Sequence, residues 1–290
     1  MDIRGILMGL AFAAMWSSAF TSARVIVQAA PPLTTLALRF LISGIIAVGI
    51  ARALGQSWRL TAVQWRAVLV FGLCQNAIYL GLNFVAMQEV QASLAAIIAS
   101  AMPLIVALLS WAVLRERLPA LGIAGLVAGV FGVTLIMGAR LSGGADLFGV
   151  ALCVLAALSL AVATLMVRNA TSRGNVLMVV GLQMFVGAGA LVLPAAWLET
   201  WEVTWSPALV VAFWYTVLVP GVLATLVWFL LVDRIGATKA ATFHFLNPFF
   251  GVVIAWALLN EALTLWDALG VVVIAGGILA VQLARAKKAG

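Results

Sequence analysis

Residues 92–140 return 145 positions later as residues 237–285, so whatever packing one half adopts, the other must be able to adopt too. Pro103 recurs as Pro248, Trp111 as Trp256, Glu116 as Glu261, Gly125 as Gly270, Gly132 as Gly277 and Arg140 as Arg285. After a one-residue slip the first apolar run joins the pattern, with Gly5 and Arg24 falling on Gly149 and Arg168. Two like halves are expected, at 1–140 and 146–290.

What surrounds those halves follows from how little of the chain is polar. Hydrophobic residues make up 66% of 290 and charged residues only 9%, with a mean hydropathy of +1.21. A soluble domain of that length needs far more polar surface, so the expected solvent is lipid. The net charge of +7 does not indicate nucleic acid, because the basic residues stand singly between apolar runs. Cys74 and Cys153 both lie inside apolar stretches; they indicate packing, with no disulfide framework, metal site or other cofactor.

A hydrocarbon core of about 30 Å takes about 20 apolar residues to cross. Breaks at charged and Pro/Gly-rich points leave ten such spans, at 4–28, 33–53, 65–86, 91–114, 119–139, 147–167, 176–198, 208–232, 237–259 and 265–284. The first resembles a secretory signal, with Arg4 ahead of it and Thr21-Ser22-Ala23 near its end. It contains Trp16, reaches Val27 and pairs with residues 149–168 in the repeat, so it is read as a retained helix.

Five spans per half is an odd number, so the halves must sit inverted relative to each other. With the amino terminus in the cytoplasm, the inner side holds 13 of the 16 Lys and Arg: Arg4, Arg52, Arg59, Arg66, Arg115, Arg117, Arg168, Arg173, Arg234, Lys239, Arg285, Lys287 and Lys288. Arg24, Arg39 and Arg140 remain outside, with six of the nine acids. Both termini are therefore expected inside. Paired inverted repeats with a site between them at mid-membrane are the pattern of a secondary transporter.

These features resemble a known family. The halves of five spans, Pro103 midway along the fourth, the Leu114-Arg115-Glu116-Arg117 turn, the Gly-rich fifth spans, and Arg39-Phe40 after Pro31-Pro32 are similar to the EamA domains of the drug/metabolite transporter superfamily. The second copy keeps Pro248, Leu259-Asn260-Glu261 and Gly270 but has no equivalent of Arg39. Within the family the chain is similar to bacterial aromatic amino-acid exporters of the YddG type. The resemblance implies an all-α membrane protein of the bacterial inner membrane. It also implies export of aromatic and hydrophobic amino acids, with threonine, methionine and related metabolites as further candidates. Broad metabolite or drug efflux by proton antiport is the alternative. A monomer in the bilayer is expected, with a dimer left open.

Polar groups inside a membrane should face a cavity or another helix. His244, the single histidine, lies mid-span with Asn247 and Pro248 just after it; Pro248 cannot donate to the carbonyl of His244. Either this cluster meets substrate or His244 serves a neighbouring helix. The matching positions in the first half are Ala99 and Met102, with Ser100 and Pro103 beside them. Gln75, Asn76, Tyr79 and Asn83 form a polar stripe, opposite Pro220, Gly221, Ala224 and Trp228 in the second copy. Trp16, Tyr79, Asn83, Ser100, Trp228, His244 and Asn247 are the candidate substrate residues, and helix–helix hydrogen bonding is the competing role. Ser17, Ser159 and Thr164 are weaker candidates. Pro103 and Pro248 are candidate hinges, since each removes a backbone hydrogen bond. Arg24 and Arg39 are expected to snorkel outward, with a structural contact to a helix end as the favoured role and attraction of a substrate carboxylate from the outside as the alternative.

Other functions lack their signatures. No acid falls centrally in any span, so an intramembrane carboxylate relay is missing. There is no phosphate-binding glycine loop and no Gly-x-Ser-x-Gly elbow, so neither ATP-driven transport nor enzymatic hydrolysis is expected. Nor is there a ring of like charges to serve a channel.

Overall fold

In hydrocarbon a backbone must satisfy its own N–H and C=O groups, and long apolar runs do so as helices. The computed structural model describes residues 3–113, 115, 119–142, 144–166 and 174–289, except for the side chains at 141, 142, 229, 237–239 and 285–289. Glu116, Arg117, Arg168 and Arg173, and the side chains of Lys239, Arg285, Lys287 and Lys288, lie outside the described residues, so the expected charge asymmetry is not read from the structure.

Among the described residues ten helices are long and apolar enough to cross a membrane, and there is no strand. They are α1 (Ile3–Val27), α2 (Pro32–Ala53), α3 (Ala62–Ala86), α4 (Ala92–Ala112), α5 (Ala120–Arg140), α6 (Leu147–Met166), α7 (Val176–Leu198), α8 (Pro207–Ile235), α9 (Ala240–Leu259) and α10 (Leu265–Ala284). They coincide with the ten expected spans to within a few residues. α3 starts ahead of the expected residue 65 because Thr61 and Gln64 cap each other reciprocally.

The packing is unchanged in plan when α1–α5 are exchanged for α6–α10. α2 lies along α7, α5 along α10 and α4 against α9; α1 packs on α8 and α9 just as α6 packs on α3 and α4. Small residues permit the closest crossings. A Cβ placed on Gly125 would lie 2.7 Å from the carbonyl oxygen of Gly277, and one on Gly277 would lie 2.6 Å from that of Gly125. Backbone thus meets backbone between α5 and α10, within one chain.

Four helices are interrupted, at equivalent places in the two halves. α3 widens into a π-helical stretch at Gly72–Leu80 and α8 into another at Val219–Leu223. α4 breaks at Ala101 and restarts at Met102; α9 passes through a 3₁₀ turn at Phe243–Leu246 and restarts at Asn247. Pro103 and Pro248 each occupy the first turn of the restarted helix, where no N–H is required. Trp58, Trp65, Trp201 and Trp205 are exposed near helix ends, as interfacial anchors would be.

Candidate functional site

The four interrupted helices together with α1, α2, α6 and α7 surround a cavity of about 410 Å³, to which α5 and α10 contribute nothing. It reaches the end of the bundle where α3 and α7 begin, at Gln64, Ala67, Val176 and Val179. Its inner part has an aromatic wall and a polar wall.

The aromatic wall is built by α1, α8 and α9. Phe12 lies tilted against Trp228 at 4.7 Å and Trp16 at 5.7 Å, and meets His244 edge-on at 5.3 Å; Trp228 and His244 are 5.2 Å apart. His244 stands on the 3₁₀ turn, where Asn247 N–H closes on its carbonyl in the register that Pro248 cannot supply. One ring nitrogen, Nδ1, lies 3.0 Å from Nδ2 of Asn247. That contact fixes the imidazole against Trp228 and Phe12.

The polar wall comes from α2, α3 and α7. Gln75 and Asn76 sit on the π stretch of α3, and the Asn76 amide donates to the Gln183 carbonyl at 3.0 Å. Arg39 corrects an expectation: it does not snorkel outward but is buried, only 6% exposed, and lines the cavity. Pro220 has no N–H to offer Thr216 four residues earlier, and the freed Thr216 carbonyl accepts from Arg39 Nε at 3.4 Å. One residue on, the Val217 carbonyl accepts from Ser43 Oγ at 3.2 Å. The guanidinium also lies over the Phe40 ring at 5.0 Å. No Asp or Glu is among the described residues lining this cavity.

The expected residues divide among three spaces. Trp16, Trp228 and His244 line the main cavity, with Thr164 near its mouth. Tyr79 and Asn83 line a smaller space of about 40 Å³ towards the far end, and Arg39 stands in the wall of both. There the Asn83 amide donates to the Tyr79 carbonyl at 2.8 Å, while its Oδ1 is buried without a protein partner. Ser100, Asn247 and Pro103 line a third space, also about 40 Å³, between α4 and α9. The Ser100 hydroxyl is taken by the Ala96 carbonyl at 2.6 Å, and the Asn247 carbonyl accepts from Ser17 at 3.2 Å. Ser159 donates to the Cys74 carbonyl at 3.0 Å. Phe12 and Gln183 are cavity residues that the sequence analysis did not single out, and Arg39 had been placed towards the outer surface.

At the far end the bundle is closed by polar ties. Glu261, after α9, accepts from the Ala92 and Ser93 amides at the start of α4, at 2.7 and 2.9 Å. Glu199, after α7, does the same for Leu33 and Thr34 at the start of α2, at 2.6 and 2.8 Å. In both places a carboxylate meets unpaired helix N-terminal amides, where the helix dipole favours negative charge. Arg140 on α5 grips both oxygens of Asp267 on α10, at 3.0 and 2.9 Å, and also donates to Gln91. Arg24 donates to the Met87 carbonyl at the end of α3, the helix-end contact expected for one of the two outer arginines. The cavity is thus open at one end and closed at the other.

Comparison with known proteins places this architecture. The model of the EamA-like transporter family matches residues 3–138 and again 147–283. The chain is 28% identical to an uncharacterized transporter, YvbV, of Bacillus subtilis, over 95% of this chain and 90% of that one. It is 27% identical to an uncharacterized inner membrane transporter, YedA, of Escherichia coli, over 90% of this chain and 85% of that one. A crystal structure of another protein superposes with a TM-score of 0.71 at 22% identity, covering 99% of this chain and 100% of that one, a likeness of fold.

Proposed function

The chain belongs to the EamA-like transporter family, and from that membership we propose that it exports amino acids with aromatic or apolar side chains, and related small metabolites. The observation that carries this reading is the cavity of about 410 Å³, aromatic on one wall and polar on the other. That volume suits a small metabolite, and an indole or phenyl ring packs well against Trp16, Trp228 and His244. The polar wall suits the charged end of the same molecule. This is the specificity that the resemblance to aromatic amino-acid exporters implies.

We propose that both termini face the cytoplasm of a bacterial inner membrane, so that the open mouth faces inward. The two repeats, 1–140 and 146–290, then alternate around the cavity. The ties of Glu199, Glu261, Arg140 and Arg24 part as the far end opens, and the breaks at Pro103 and Pro248 act as hinges. Tyr79 and Asn83 lie on the route between cavity and far end; Ser100 and Asn247 couple the paired breaks. A single copy contains the whole route.

His244 in the cavity wall favours a second reading, proton-coupled efflux of broader metabolites or drugs, because it is the titratable ring there. Reconstitution separates the two. Purified protein in liposomes should carry labelled tryptophan and phenylalanine down their gradients, indifferent to an imposed pH gradient. Flux that appears only with a proton gradient establishes the second reading, and absence of amino-acid flux under both conditions removes the first.

A further inference from the structure

We infer that Arg39 is the carboxylate anchor of the cavity, and that the substrates therefore extend to aromatic and aliphatic monocarboxylates with no ammonium group. The inference rests on the cavity being the transport site and names the chemical class it takes.

A guanidinium carries five N–H donors. In Arg39, Nε donates to the Thr216 carbonyl, and no hydrogen bond from either Nη is made among the described residues. No carboxylate pairs with it there either, and it is only 6% exposed. A charge so placed is costly unless an anion or water meets it, and the cavity side is where that partner can enter. The fixed fork of a guanidinium matches a carboxylate in bidentate fashion. The Thr216 carbonyl holds one edge of the fork, because Pro220 has left that carbonyl free.

Position supports the same assignment. Arg39 stands in the wall of both the main cavity and the smaller space beyond it, where the open route narrows. A carboxylate held there leaves the rest of the molecule to lie along Trp16 and Trp228. The second half has no equivalent arginine, and Arg39 is the one Arg or Lys among the described residues lining these spaces.

Nothing comparable serves a cation. The described lining of these spaces contains no Asp or Glu, so an ammonium meets ring faces, hydroxyls and side-chain amides but no opposite charge. An ammonium is tolerated beside the carboxylate but is dispensable, and a lone organic cation is repelled by Arg39.

Four probes with the same phenyl group test this: phenylalanine, 3-phenylpropanoate, phenethylamine and phenylalaninamide. Binding to purified full-length protein is read as a saturable rise in melting temperature, then as competition against labelled phenylalanine flux. Phenylalanine and 3-phenylpropanoate should bind and the other two should not. Arg39→Gln should weaken both carboxylates about tenfold or more, with Arg39→Lys intermediate. Binding of 3-phenylpropanoate that depends on Arg39, without binding of phenylalanine, keeps the anchor and removes the amino-acid reading. Phenethylamine binding as tightly as 3-phenylpropanoate, or Arg39→Gln keeping both affinities, overturns the anchor while leaving amino-acid transport standing. No response to any of the four overturns both. If Arg39→Gln fails to fold, Arg39→Lys and the wild-type probe series decide.

Discussion

At the scale of single residues, Trp228 and His244 do different work although they touch. Trp228 offers an aromatic face, and removing a ring contact of this kind costs about 0.5–1.5 kcal/mol beyond the lost area. Trp228→Ala should therefore raise the half-saturating concentration of tryptophan roughly tenfold, since about 1.4 kcal/mol is a factor of ten, and should affect threonine less. Flux titrations checked against folded yield test this; equal affinities would make Trp228 a packing residue. His244→Ala should have a similar effect with the added loss of the Asn247 contact. Arg39 shows where reading by residue stops. Its charge inside a span was visible, but distance along a helix does not tell whether a side chain points to lipid, headgroup or cavity. The missing signal is three-dimensional: the carbonyl that Pro220 frees belongs to a helix 177 positions away in sequence.

At the scale of elements, the apolar runs and their breaks were legible because a bilayer allows few alternatives. Pro103 and Pro248 marked the breaks in α4 and α9. The π-helical stretches in α3 and α8 were not foreseen: Pro220 stands in the one in α8, but the side-chain bonds that α3 and α8 exchange here with α2, α6 and α7 join residues far apart in sequence. As π stretches often occur at functional sites, they are where the polar wall forms. Two substitutions test the element-level reasoning. Pro248→Ala restores an N–H at the break and should slow turnover more than it lowers folded yield; equal rates at equal protein level would remove the hinge role. Gly125→Leu pushes a side chain into the Gly277 carbonyl and should cost about 1–3 kcal/mol, read as a fall of several degrees in melting temperature in detergent. An unchanged melting temperature would mean that α5 and α10 do not need their close crossing.

At the scale of the whole molecule, the duplication visible in the sequence is the symmetry of the packing, yet the two ends of the bundle are unlike. One end is open and the other is tied by carboxylates on helix N-termini and by the Arg140–Asp267 pair. Glu261 and Asp267 were counted in sequence among the outer acids, but their partners across the bundle lie 127 to 169 positions away and could not be assigned from it. Glu261→Ala combined with Glu199→Ala should favour opening of the far end. A single cysteine at position 83, with Cys74 and Cys153 replaced, should then react several-fold faster with an impermeant thiol reagent supplied from that side. The alternating cycle itself is tested most directly by counterflow. Liposomes containing the protein are loaded with unlabelled phenylalanine and diluted into a trace of labelled phenylalanine. Transient accumulation of label above its equilibrium level is the expected result, because a carrier returns loaded. Simple equilibration without an overshoot, at a flux well above that of empty liposomes, would contradict alternating access and indicate an open pathway instead.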